Sequence, residues 1–183
     1  MSKNVLGQIV LIFCCVFYLI WWYRGYRPGV TVSRVGGVNG LLLFITAALG
    51  VTGIILSLQP ADAVREGFVS PQAVILSGII ACFVLLVITR FGFHRIVTTE
   101  LVLITGWTML EVEVTDRLYS AGIIGKGNFA AECVVIAAAF VISMILYVAY
   151  YRMEENRAFY AAMVPLVTEA AAMAVLVIMS IGK

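Results

Sequence analysis

Three glutamates, Glu111, Glu113 and Glu169, stand within stretches of this chain long and apolar enough to cross a lipid bilayer. A charged side chain at the centre of a spanning helix costs roughly 2.5–3.5 kcal/mol on insertion scales. Protonation removes the charge, but from a reference value of about 4.3 it costs about 3.7 kcal/mol at pH 7. Neither state is free, so each acid calls for a partner, water or a chemical task. The tasks open to a carboxyl at that depth are proton exchange and the binding of a solute or cation.

The segment from Thr98 to Arg117 carries most of this chemistry. At 100° per residue, Glu100, Trp107 and Glu111 fall within about 40° of one another on a helix. Glu111 lies about two turns inside the end of that helix, where a polar cavity would account for it. Glu113 and Arg117 form an i,i+4 pair in the favourable order. With Asp116 they read as an ion network at the aqueous end. Glu132 opens the next helix on the same side, at a depth that lets it join Glu111 and Glu113. Glu111 and Glu113 diverge by about 200° on a helix, so they cannot grip one ion together and no metal site is expected.

Glu169 is about ten residues from either end of its segment, near the midplane of a bilayer. Pro165, four residues earlier, removes one backbone hydrogen bond and crowds the carbonyl of Ala161. A broken helix with a carboxyl one turn away is a way to build a gate or a midplane site. In a purely structural role Glu169 would instead bond to a neighbouring helix. The expected substrate or proton site therefore comprises Glu111, Glu169, Glu113, Glu132, Trp107 and Glu100, with Pro165 as gate or kink.

Those residues need a scaffold that holds them in lipid. The chain is 63% hydrophobic, and its mean hydropathy is +1.07. Six apolar segments follow, at approximately 5–23, 37–58, 73–91, 97–118, 129–151 and 159–181; the fourth is the least apolar. Each approaches the about 20 residues that a bilayer core requires. Pro60, Pro71 and the Arg27-Pro28-Gly29 run fall between segments, as chain breakers should. The fold expected is all-α: a polytopic integral membrane protein, one domain over 1–183, built as a bundle of six transmembrane helices. The first segment ends in Trp21-Trp22-Tyr23-Arg24 without a small-residue cleavage pattern, which reads as a retained helix and not a signal peptide.

Orientation follows from charge. Connections one, three and five hold Arg24, Arg27, Arg34, Arg90, Arg95, Arg152 and Arg157, whereas the other side holds Lys3, Arg65, Arg117, Lys126 and Lys183. The excess of arginine puts the odd connections in the cytoplasm and both termini outside, in what reads as the plasma membrane of a prokaryote.

Composition also excludes. Net charge is only +2 and the basic residues are scattered, so no stripe for nucleic acid exists. Cys14, Cys15, Cys82 and Cys133 all fall within predicted spans and read as packing residues, with no Cys/His grouping for a metal or cluster. The lone His94 offers no histidine pair for haem, and no cofactor is expected. Small polar residues such as Gln8 and Asn39, and the glycines of the second helix, read as helix-helix contacts.

These features fit a small-solute or ion transporter or channel, coupled to protons through its carboxyls. Its partners would be the bilayer, a small polar solute or a cation or proton, and a second copy or another membrane subunit. An accessory subunit of a larger membrane complex is the alternative. An intramembrane enzyme on a lipid-like substrate comes third, because no nucleophile–base pair accompanies the glutamates. Cysteines placed at Ser2 and Ser180 in a chain cleared of its native thiols should react with an impermeant reagent from outside the cell. Labelling from the cytoplasm would reverse the orientation and leave the helix count intact.

Overall fold

The computed structural model describes residues 2–29, 33–60, 62–92, 94, 99–150 and 152–182; the side chains at 99 and 100 lie outside that description. Its elements are α1 (Lys3–Tyr26), α2 (Gly37–Ser57), α3 (Pro71–Val87), α4 (Thr99–Ser120), α5 (Lys126–Tyr150), α6 (Glu155–Ala161) and α7 (Val164–Ile181). A single π-type turn, Ile88–Gly92, extends α3. No strand occurs among the described residues.

Local signals explain the ends. Ser2 accepts a hydrogen bond from the Val5 N–H and starts α1, while Ser70 does the same for Ala73 with Pro71 in the first turn of α3. Gly122, at φ 73°, takes the left-handed conformation just beyond α4, and the Ile123 N–H returns to the Leu118 carbonyl. The last span is broken at Ala162 and Met163. Pro165 sits in the first turn of α7, where its missing N–H deprives the helix of little.

Five stretches are long and apolar enough to cross a membrane: Lys3–Tyr26, Gly37–Ser57, Pro71–Gly92, Lys126–Tyr150 and Glu155–Ile181. The fourth helix is not among them. Six long helical segments are present as expected, but α4 dilutes its apolar residues with Glu100, Glu111, Glu113, Asp116 and Arg117. Its neighbours compensate, since α4 packs against α3, α5 and α7.

Around the bundle, α2 lies on α1, α1 on α7, α7 on α5, α5 on α4 and α4 on α3. Gly7 and Gly53 let α1 and α2 approach closely: a methyl at Gly7 would collide with the backbone of Ser57, and one at Gly53 with Leu11. Polar ties then join the same pair. The Asn4 amide donates to the Ser57 carbonyl at 2.7 Å, and Gln8 Nε2 to Ser57 Oγ at 3.3 Å. Asn39 takes a bond from Arg24 at the other end. Apolar side chains are exposed in numbers on α2 and α3, among them Phe44, Val51, Ile79 and Phe83. Faces of that kind suit lipid.

Gly7→Val should therefore lower stability by about 1–3 kcal/mol, the usual cost of overpacking. Gly106→Ala should do no harm, because nothing lies within 4 Å of the added methyl. Thermal unfolding in detergent measures both; a neutral Gly7→Val would show that α1 and α2 are not closely docked.

Candidate functional site

The carboxyls of three different helices turn inward. Glu111 on α4 and Glu132 on α5 have no exposed surface, and Glu169 on α7 retains 2%. None of their six oxygens has a hydrogen-bond partner. Glu111 interacts electrostatically with both Glu169 and Glu132, and the Gln8 side chain adjoins it without reaching hydrogen-bond geometry. Cys15 of α1 also lies within electrostatic range of Glu111 and Glu169. Thr115 Oγ1, one turn from Glu111, is buried and unpartnered as well.

These groups occupy graded depths. Counted at 1.5 Å per residue from the helix ends nearest the termini, Glu132, Glu111 and Glu169 lie about 9, 13 and 18 Å inside. Asp116 marks the outer end of the series. It is buried, and one oxygen accepts the N–H groups of Phe68 and Val69 at 2.7 and 3.3 Å. Its expected pairing with Arg117 is not formed; Asp116 instead pins the loop before α3. Arg117 bonds Glu113 at 2.8 Å and donates to the Leu58 carbonyl, tying α4 to the end of α2.

At the deep end, Glu169 and Pro165 line a cavity of about 450 Å³ between α1, α2, α4, α5 and the break after α6. Tyr18, Trp22, Trp107 and Tyr147 form much of its wall. The cavity is therefore mainly apolar and aromatic, with a carboxyl at one side, and not the polar chamber that Glu169 alone suggested. A second cavity of about 500 Å³, between α2, α3 and α4, reaches the Glu113–Arg117 pair. Ile54, Leu103 and Trp107 border both, so Trp107 stands at the partition between them.

Of the residues singled out from sequence, Glu111, Glu132 and Glu169 come together, Trp107 lines both cavities, and Glu113 faces away toward the second. The Glu100 side chain and Arg95 lie outside the described residues. Missed were Cys15 and the rings of Tyr18, Trp22, Tyr147 and Tyr150. Tyr18 and Trp22 are spaced i,i+4 and Tyr147 and Tyr150 i,i+3, which puts each pair on one helix face. That periodicity was the available signal. Among the described residues no three His, Cys, Asp or Glu side chains lie close enough to hold a metal ion.

Comparison with protein-family models, curated proteins and solved structures returned no match. The site must be read from its own chemistry.

Unpartnered buried carboxyls weaken a fold, so their removal tests their purpose. Glu111→Gln and Glu111→Leu should leave the melting temperature unchanged or raise it, since apolar replacement of buried ionisable groups is often neutral or stabilising by about 1–4 kcal/mol. A fall of several degrees in both variants would show that Glu111 is held by a structural partner.

Proposed function

We propose that this chain is a small transporter or channel that moves a small solute or ion across a membrane in exchange with protons. The observation that supports it most is the convergence of Glu111, Glu132 and Glu169 from three helices, all buried and none hydrogen-bonded. Buried polar groups kept only for structure are normally satisfied by donors. Carboxyls left without them inside an apolar bundle serve exchange: each can hold a proton or face a cation, and the two compete.

The graded depths give the exchange a route. Asp116 lies at the end near the termini, and both it and Glu132 act on the same neighbour, Cys133. Glu111 links Glu132 to Glu169, and Glu169 borders the deep cavity. A proton taken up beside that cavity has carboxyls and the Thr115 hydroxyl on its way out. The break at Ala162 and Met163, with Pro165 after it, is where α6 and α7 would flex as the cavity opens.

In this reading six helices cross the bilayer, with α4 shielded by α3, α5 and α7 despite its charges. The arginine-rich connections face the cytoplasm of a prokaryotic cell and both termini lie outside.

Reconstitution in liposomes tests the proposal. Solute flux driven by a pH gradient should be lost in Glu169→Gln while its melting temperature is kept. Glu169→Ala should lose flux and also melt earlier, because truncation leaves a void beside Cys15 and Trp107. Undiminished pH-driven flux in a stable Glu169→Gln protein would reduce Glu169 to a structural group.

A further inference from the structure

The walls of the deep cavity narrow the kind of molecule that fits it. Its volume, about 450 Å³, lies within the range of small-molecule sites. Among the described residues no lysine or arginine lines it, and Glu169 is the formal charge on its wall. The Glu169 residue is 2% exposed, and its two oxygens are buried with no hydrogen-bond partner among the described residues. Around it stand the rings of Tyr18, Trp22, Trp107, Tyr147 and Tyr150, contributed by three helices.

Three solute classes can be weighed against those walls. An anion would meet a carboxyl and no basic side chain. A sugar-like solute would bring many hydroxyls to a wall whose polar groups are few beside its rings and aliphatic chains, and each hydroxyl left unpaired costs roughly 1–3 kcal/mol. A cation with an apolar body meets every feature at once: a counter-charge in Glu169, aromatic rings among the lining residues, and apolar wall for the rest of the molecule.

We infer that this cavity is a binding site for a lipophilic organic monocation, an amine or quaternary onium with an apolar body, held by Glu169 and the surrounding aromatic rings. The inference rests on the transport reading, whose substrate class it names. It narrows the expectation of a small polar solute or a cation to a cation with an apolar body.

Tetraphenylphosphonium and tetraphenylborate test it, because they share one shape and carry opposite charges. Calorimetric titration of the full chain in detergent should show saturable binding of the phosphonium, at least tenfold tighter than any saturable binding of the borate. Glu169→Gln should weaken phosphonium affinity at least tenfold while its melting temperature is retained. Trp107→Leu should weaken it severalfold through loss of one ring. Equal affinity of the native chain for the two ions, or no saturable phosphonium binding, would overturn the inference without any need for a folded variant. So would undiminished binding in Glu169→Gln. Saturable phosphonium binding without flux in liposomes would leave this site standing and sink the transport reading. Proton-driven flux of another solute, with no preference for the phosphonium, would do the reverse.

Discussion

Helix α4 brings Glu111, Glu113, Thr115, Asp116 and Arg117 into a bundle whose other long segments are apolar, and the arrangement of neighbours answers to that load. A carboxyl in hydrocarbon without partners is among the costliest placements a protein can make. The helix is accordingly packed on α3, α5 and α7, and several of its polar groups are turned to structural uses. Asp116 anchors the loop before α3, and Arg117 with Glu113 anchors the end of α2. Thr105 and Thr108 return their hydroxyls to carbonyls of their own helix. Glu111 and the Thr115 hydroxyl are left over, enclosed and without a hydrogen bond among the described residues.

That remainder distinguishes a site from a scaffold. The same bundle satisfies Asn4, Asn39 and Gln8 Nε2 with well-placed acceptors, so it does not lack the means to pair polar groups. Three carboxyls from α4, α5 and α7 nonetheless come together with none of their oxygens in a hydrogen bond among the described residues, although the Gln8 side chain adjoins Glu111. Like charges in a dry interior repel strongly, and only exchange with protons, water or a cation relieves them. The aromatic cavity borders Glu169 at the deep end of the series, while Asp116 lies at its other end, near the loops.

The peripheral helices serve this centre in different ways. α2 docks extensively only on α1, through glycines and the Ser57 contacts, and its opposite face is apolar and exposed. α3 docks on α4, where a methyl added to Gly78 would strike Met109. Neither α2 nor α3 supplies a carboxyl, yet between them and α4 lies the second cavity, separated from the first by Ile54, Leu103 and Trp107.

Much was legible in the chain as written. Runs of about 20 apolar residues specify helices whatever their neighbours, because backbone groups away from water must bond within the segment. Five such runs, a sixth helix diluted by its charged residues, the breaks at proline and glycine, and the anomaly of buried carboxyls followed directly. So did the i,i+4 pair of Glu113 and Arg117, which one helix contains entirely. Contacts between helices were another matter. Periodicity places a residue on a face of its own helix but does not say which helix that face meets. Only packing joined Glu111 to Glu132 and Glu169, and sent Asp116 to a loop 47 and 48 residues earlier instead of to Arg117 beside it. The character of the cavity was decided the same way. A lone midplane glutamate suggested polar surroundings, whereas Tyr18, Trp22, Trp107 and Tyr147, drawn from three helices, surround it with rings because a cavity takes its chemistry from the faces that converge on it.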